Sequence, residues 1–418
     1  MAKTRVVVVG QGYVGLPLAM AAARAGYEVV GFDIDENHVR SLARGESPTL
    51  DVLSSELLEA IREGWYKPSA SVEDLEGFQV ALITVPTPLK NGAPDLSIVR
   101  EATASLGKFL RPGSTVILES TSYPGTTEEI VVKTLQSESG LLAEEDFFAG
   151  FSPERIDPGN EHWGFNDIPK IVSGVGERSL EIVRGFYGSL GVTTVDSPGI
   201  REAEMAKLIE NTFRHVNIAL VNELLVFSAA INTNLWAAIE LAGTKPFGFM
   251  KFTPGPGVGG HCLPVDPTYL SWAIAEKTGK EFRFVALANE VNGSMPDFVV
   301  LRAEEILDRN NQPLFGATIL VAGLGYKEKT SDIRNSPGLE LAKVLHGRGA
   351  KVYGFDEQVK GAGAGDHLQW VDQNANLTFD LGIITNAQTH TVSDWIKRSS
   401  RSVLDCRNSI QGDNVEVL

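Results

Sequence analysis

Short apolar runs, each closed by glycine, proline or an acid, mark both ends of the chain, and a long helical pattern fills its middle. RVVVV at 5–9 and YEVVGF at 27–32 lack the polar alternation of a half-exposed strand, so they read as strands buried on both faces of a parallel sheet. The segment 37–67 has a helical pattern. VALITVPTP at 80–88 reads as a buried strand stopped by two prolines, at the sheet edge where ligands bind. Residues 114–129 and 147–159 repeat the theme: a strand, then a polar loop, the second with Glu154 at its tip. VTTVD followed by SPG, within 192–200, reads as a domain edge. Residues 201–231 contain neither Pro nor Gly and predict one long helix, and 281–308 predicts another, with Pro296 inside it. After Gln312-Pro313 the strand-helix alternation resumes: ATILVAGLGYK, a helix at 337–346, KVYGFD ending at Asp356, and FDLGIIT. The expected fold is α/β, with two Rossmann-like doubly wound domains joined by a long central helical segment. The expected boundaries are 1–197, 198–309 and 310–418.

The first strand runs into Gly10-Gln11-Gly12-Tyr13-Val14-Gly15, then into the Ala- and Leu-rich LPLAMAAARAG, and the second strand ends in Asp33. Strand, glycine turn, helix, strand and acid form the dinucleotide fingerprint in its required setting. Gly10 makes the tight turn, Gly12 admits the pyrophosphate to the backbone, and Gly15 lets helix and strand pack. The helix N-terminus faces the phosphates. Asp33 is placed for the adenosine ribose diol, and Asp35 beside it disfavours a 2′-phosphate, so NAD is expected and not NADP. Tyr13, Val14, Thr84, Pro86, Thr87 and Thr121 complete the expected cofactor contacts.

The stretch TPGPGVGGHCLPVD at 253–266 places one cysteine, Cys262, behind a run of Gly and Pro. It reads as an irregular loop that presents a nucleophile, with Asp266 four residues on and His261 among the groups able to favour a thiolate. A packed core cysteine is the bland alternative, and it suits Cys406 in VLDCRN better. On the predicted long helix, Lys207, Asn211 and Arg214 share one face, with Leu208, Phe213, Val216, Leu220 and Leu224 packing elsewhere. A lysine and an asparagine one turn apart make a donor pair for an oxyanion; a solvated polar stripe is the alternative.

Composition narrows the class. The 418 residues exceed one core's worth, 43% are hydrophobic and 22% charged, and two cysteines fit a reducing compartment. A net charge of −16 argues against nucleic acid as partner. No apolar run reaches membrane-spanning length, and MAKTR leads straight into a buried strand, so a cytoplasmic protein without membrane attachment is expected. No metal site is expected.

GGHCLPVDP at 259–267, ENTFR at 210–214 and GQGYVG at 10–15 together resemble the UDP-glucose/GDP-mannose dehydrogenase family over nearly the whole chain. KPFGFMKFTPGPGVGGHCLPVDP at 245–267 is similar to the branch that oxidises UDP-N-acetylglucosamine at C6. The resemblance implies that Thr121, in STSYPGTT, and Glu154, in SPE, belong to the active site, associated with the hydrolytic water. STSYPGTT is one residue shorter than the commoner form. AKLIEN matches the family's signature, which aims Lys207 and Asn211 at the reacting carbon. GLGYKEKTSDIRNSP at 323–337 resembles the loop of a uridine-diphosphate-binding domain, with Lys327 and Arg334 as its cations, although the third glycine of a dinucleotide turn is missing from GLGYKEK. Lys245, Phe247 and Phe249 are expected over the sugar. Glu154, Arg155, Lys207, Asn211, Arg214, Phe252 and Gly259 complete the substrate set, and a homodimer through the central helices is implied. Val265 stands where glucose-specific relatives carry lysine.

The implied activity is a four-electron, NAD-dependent oxidation of the C6 alcohol of a UDP- or dTDP-hexose. It passes through a Cys262 thiohemiacetal and thioester, and Lys207 or a water near Asp266 takes the first proton. UDP-N-acetylglucosamine is the first choice; UDP-N-acetylmannosamine, UDP-glucose and a dTDP-hexose stay open. A two-electron dehydrogenase of the 6-phosphogluconate or hydroxyacid kind and a non-catalytic nucleotide-sugar or NAD-binding protein are the rivals.

Overall fold

The structure is a computed structural model that describes residues 3–49, 51–156, 163–228, 230–359, 361, 365–373 and 375–418. The tail of the 147–159 segment, from Asp157 to Gly159, lies outside the described residues. The chain forms two compact units, residues 1–210 and 211–418.

The first unit is built on eight strands: β1 Arg5–Val9, β2 Glu28–Phe32, β3 Tyr66–Ser69, β4 Val80–Ile83, β5 Thr115–Leu118, β6 Phe148–Phe151, β7 Lys170–Gly174 and β8 Thr194–Asp196. Their order is β8-β7-β6-β5-β4-β1-β2-β3. All neighbours run parallel except β6 and β7. Val7 of β1 faces Val30 on one side and Ala81 on the other, so the strand order reverses at β1 and opens a crevice beyond its carboxyl end. The β-branched run of β1 has no exposed face, and Val6 and Val8 share a core with Leu16, Leu18 and Met20 of the following helix. The predicted helical segment 37–67 is corrected here. Two helices, Glu36–Ala43 and Ser54–Arg62, are followed by an edge strand, because Tyr66 is needed inside, where its hydroxyl donates to Gln11 Oε1 at 2.8 Å.

The helix that begins at Ile200 runs unbroken to Ser228, as the absence of Pro and Gly predicts. In the second unit, Arg283–Arg309 is likewise one helix through Pro296. Its Met295, Val299, Ala303 and Ile306 share one core with Leu341 of the Pro337–Gly347 helix and with Ile319 and Val321 of the sheet layer that follows. That layer holds β9 Thr318–Ala322, β10 Lys351–Phe355, β11 Gln369–Trp370, β12 Phe379–Ile384, β13 Ser400–Asp405 and β14 Val415–Val417, all parallel, in the order β11-β10-β9-β12-β13-β14.

Among the described residues, no helix is long and apolar enough to cross a membrane, and no cluster of His, Cys, Asp and Glu could hold a metal ion.

Candidate active site

The turn after β1 has the geometry a dinucleotide needs. Gly10 has φ +95°, and a Cβ there would stand 2.8 Å from the Thr84 carbonyl oxygen. A Cβ on Gly15 would lie 1.8 Å from the Gly10 carbonyl oxygen, which only glycine tolerates. At Gly12 a Cβ would meet nothing within 4 Å, so that glycine leaves the backbone open to a ligand and not to a protein neighbour. Asp33, at the end of β2, accepts the Gln11 N–H at 2.8 Å and the Asp35 N–H at 3.0 Å, which fixes its carboxylate at the lip of the crevice. The residues therefore fit the pyrophosphate and ribose of NAD.

Two residues at the mouth of the crevice also hold the protein's own backbone. The Thr84 hydroxyl donates to Val9 O at 2.9 Å and Gly10 O at 2.8 Å and so fastens the turn. Asp35 caps the Glu36–Ala43 helix through the N–H groups of Asn37 and His38. Tyr13 and Pro86 are exposed, Val14 is half-buried, and Thr87 is buried.

Beyond β5, the Ser120 hydroxyl donates to Val85 O at 2.7 Å and leads into half-exposed Thr121. The helical turn that follows, Thr127–Val132, is capped from the long helix. Glu204 accepts from the backbone N–H groups of Gly125 at 2.5 Å and Thr127 at 2.8 Å, and from the Thr127 hydroxyl at 2.8 Å. Three residues later, one turn along that helix, comes buried Lys207.

Beyond β6, Glu154 Oε1 accepts the N–H groups of Arg155 and Ile156, each at 2.7 Å, and Oε2 meets Lys170 Nζ at 3.0 Å. Lys170, in turn, lies 2.7 Å from Glu119 Oε2, and the Tyr187 hydroxyl donates to Glu119 Oε1. Burial drives the Glu119 carboxyl up to about 7, against the pull of Lys170. For Glu154, the ammonium and the two backbone donors outweigh burial and hold the carboxyl below its ordinary value. Arg155 bonds Glu210 at 2.6 Å and Pro169 O at 2.7 Å.

In the second unit, the expectation of an irregular loop at Cys262 is corrected. Cys262 is the first residue of the Cys262–Thr278 helix and is exposed. A helix N-terminus carries unpaired N–H groups and a partial positive charge, which favours thiolate over thiol. His261 does not supply a cation, because burial and the nearby Arg334 lower its pKa and keep the imidazole neutral. One turn after Cys262, buried Asp266 accepts from Asn211 Nδ2 at 2.5 Å. One N–H of the proposed oxyanion donor is thus committed to the carboxylate that follows the thiol.

The arm before Cys262 is tied down along its length. Gly255 N–H donates to Asn222 Oδ1 at 2.9 Å, and the Asn222 amide donates to Asn292 Oδ1 at 2.9 Å. Gly260 N–H donates to Arg334 O, and the Gly260 carbonyl oxygen accepts from Asn335 Nδ2, each at 2.9 Å. A Cβ at Gly259 would stand 2.7 Å from Asn335 O, so that glycine serves this close packing. A cavity of about 460 Å³ adjoins the arm, lined by Pro256, Val258, Asn292, Pro296, Asn335 and Lys343 among others.

Arg334 forks onto Asp332, with a closest contact of 2.6 Å. Phe252 packs edge-on against Phe213 at 5.8 Å and borders the core. Lys245 lies over the Phe247 ring at 4.8 Å, Phe249 and Arg214 are exposed, and Lys327 is half-buried. The expected packing of the apolar residues of the long helix holds for Leu208 only in part of the set: Phe213, Leu220 and Leu224 are exposed.

The second unit also supplies a glycine that residue spacing does not reveal. Gly323 has φ +99°, its neighbours Leu324 and Gly325 donate to Asp356 Oδ2 at 2.7 and 3.0 Å, and the Thr385 hydroxyl donates to Ala322 O and Gly323 O. These repeat Gly10, Asp33 and Thr84. The third glycine is Gly338: a Cβ there would stand 2.6 Å from Gly323 O, as one on Gly15 would approach Gly10 O. An insertion before the helix hides it from a spacing rule.

Residue spacing also missed Lys170, Glu119 and Arg407. Arg407 donates from Nε to Thr385 O at 2.8 Å, and a Cβ on Gly255 would stand 2.4 Å from its guanidinium. Its position two residues past the end of β13, where ligands of parallel sheets bind, is the available signal.

Comparison with known proteins agrees along the chain. Residues 4–190 match the NAD binding domain of the UDP-glucose/GDP-mannose dehydrogenase family, 201–294 its central domain, and 320–412 its UDP binding domain. A UDP-N-acetyl-D-glucosamine 6-dehydrogenase of Pseudomonas aeruginosa is 39% identical over 86% of this chain and 84% of its own. A UDP-N-acetyl-D-mannosamine dehydrogenase of Pyrococcus horikoshii is 35% identical over 97% and 96%. A solved UDP-D-ManNAc dehydrogenase structure from Pyrococcus horikoshii superimposes with a TM-score of 0.86 at 32% identity, covering 99% of each chain. With three consecutive domain models, a dinucleotide turn and an exposed helix-borne thiol in agreement, the chain belongs to the UDP-glucose/GDP-mannose dehydrogenase family and is an NAD-dependent nucleotide-sugar dehydrogenase.

Proposed function

We propose that this enzyme oxidises C6 of a UDP-N-acetylhexosamine, UDP-N-acetylglucosamine first among them, from alcohol to acid in two hydride transfers. The observation that carries the reading is the exposed thiol of Cys262 at a helix N-terminus, one turn before the Asn211–Asp266 pair. Bound NAD supplies the hydride acceptor for both steps. Lys207 or a water beside Asp266 takes the hydroxyl proton as the first hydride leaves. The Cys262 thiolate then adds to the aldehyde, which turns an unreactive carbonyl into a carbon able to give up a second hydride. Water cleaves the thioester, with Thr121 and Glu154 as the residues that place it. The N-acetyl preference draws support from the 39% identical relative and from Val265 in place of lysine.

The test is a panel of UDP-glucose, UDP-N-acetylglucosamine, UDP-N-acetylmannosamine and dTDP-glucose, scored for NADH and acid. Two NADH per acid with an N-acetyl sugar preferred, and no acid from Cys262→Ser, is the expected result. One NADH per product would select the two-electron alternative.

The same reading includes a homodimer through the Ile200–Ser228 helix. Phe213, Leu220, Leu224 and Phe227 are exposed at spacings of seven, four and three, which lines them up on one helical face. Sedimentation is expected to give two chains per particle, and Leu220→Glu with Leu224→Glu to give one.

A further inference from the structure

We propose that Lys170 and Glu119 are positioning residues for Glu154, an assignment that rests on the reading of Glu154 as a residue that orients the hydrolytic water. A carboxylate offers about four acceptor positions. Glu154 commits two on Oε1 to the N–H groups of Arg155 and Ile156 and one on Oε2 to the Lys170 ammonium. The fourth, on Oε2, is left to take an O–H from outside.

Which direction that last lone pair points is decided by Lys170, and Lys170 is not free to move. It is 5% exposed, is held 2.7 Å from Glu119 Oε2, and lies over the Tyr187 ring at 5.2 Å. Glu119 is fixed on its other oxygen by the Tyr187 hydroxyl. Removing Glu119 releases the ammonium to cover both Oε2 positions, and removing Lys170 leaves two buried carboxylates facing each other.

In the step concerned, the water oxygen bonds to the acyl carbon and both its protons leave to solvent. The carbon–sulfur bond breaks with its electron pair on Cys262 Sγ, and the acid departs as carboxylate. No oxidant is consumed, so defects in this step separate from defects in hydride transfer.

The test compares Lys170→Met, Lys170→Arg, Glu119→Gln and Glu154→Gln by stopped-flow NADH formation and intact-mass detection of acyl-enzyme, with NAD and the preferred UDP-sugar saturating. In Lys170→Met and Glu119→Gln we expect a burst of two NADH per subunit, then turnover slowed at least tenfold, with acyl-enzyme accumulating and KM within threefold of wild type. Lys170→Arg should restore part of the turnover. Wild-type turnover in Lys170→Met or Glu119→Gln, or loss of the burst in both, overturns the proposal. Slow Glu154→Gln beside fast Lys170→Met refutes the positioning role alone. Wild-type turnover in Glu154→Gln removes the underlying reading of Glu154.

Discussion

Asn211 Nδ2 lies 2.5 Å from Asp266 Oδ2, and both side chains are buried, so the long helix is fastened to the helix that begins with Cys262. The pair orients the Asp266 carboxyl one turn behind the thiol. Asn211→Ala removes a donor from a buried carboxylate, which costs about 1–3 kcal/mol. Turnover is expected to fall on the order of 100-fold, because small misplacements of a reacting group are expensive. Thermal unfolding and kcat of Asn211→Ala and Asp266→Asn measure both effects; wild-type kcat in either variant would count against the pair.

The two cysteines differ in environment, and labelling should separate them. Cys262 is exposed at a helix N-terminus, whereas Cys406 is fully buried and its thiol is pushed far above the ordinary range by burial and by Asp405. Iodoacetamide should add one equivalent to the native enzyme, at Cys262, with loss of acid formation. The second equivalent should enter only in guanidinium chloride. Rapid native labelling of Cys406 by peptide mass analysis would contradict this.

Gly15 and Gly338 should part the two nucleotide functions. Gly15→Ala forces a Cβ against the Gly10 carbonyl and is expected to weaken NAD binding at least tenfold, read by titrating NADH fluorescence. Gly338→Ala forces the equivalent clash on Gly323 and should weaken UDP binding while leaving NADH affinity within twofold. Equal loss of NADH affinity in both would argue against separate roles.

His215 makes the second unit sensitive to acid. Its Nε2 lies 2.8 Å from Asn289 Oδ1, and its Nδ1 lies 3.4 Å from Asn292 Nδ2, a set that suits the neutral ring: one donor, one acceptor. Burial lowers its pKa below 6.5. The unfolded chain therefore binds the proton more readily, so the stability His215 contributes is present above about 6.5 and is lost as pH falls toward the folded value. Melting temperature should drop between pH 7 and pH 5 in the wild type, and less steeply in His215→Gln. Parallel slopes would remove His215 from the account.

Much of this molecule is set by local pattern. β1, β2, the glycine turn between them, Asp33 and the unbroken Ile200–Ser228 helix follow from residues adjacent in sequence, because strand burial, turn sterics and helix propensity act over a few positions. Cys262 stood out through the run of Gly and Pro before it, whereas its place at the start of a helix was not legible there, because that run reads as irregular backbone.

What tertiary structure decided lies between segments far apart in the chain. Gly338 fills the role of a third glycine only because the insertion before it folds away and the helix returns to Gly323. Glu119, Lys170 and Glu154 come from three different strand ends, so no spacing rule joins them. Burial then changes what they are, since an ammonium removed from water must find carboxylates at once, whereas the same residues in a solvated loop would be ordinary surface charges.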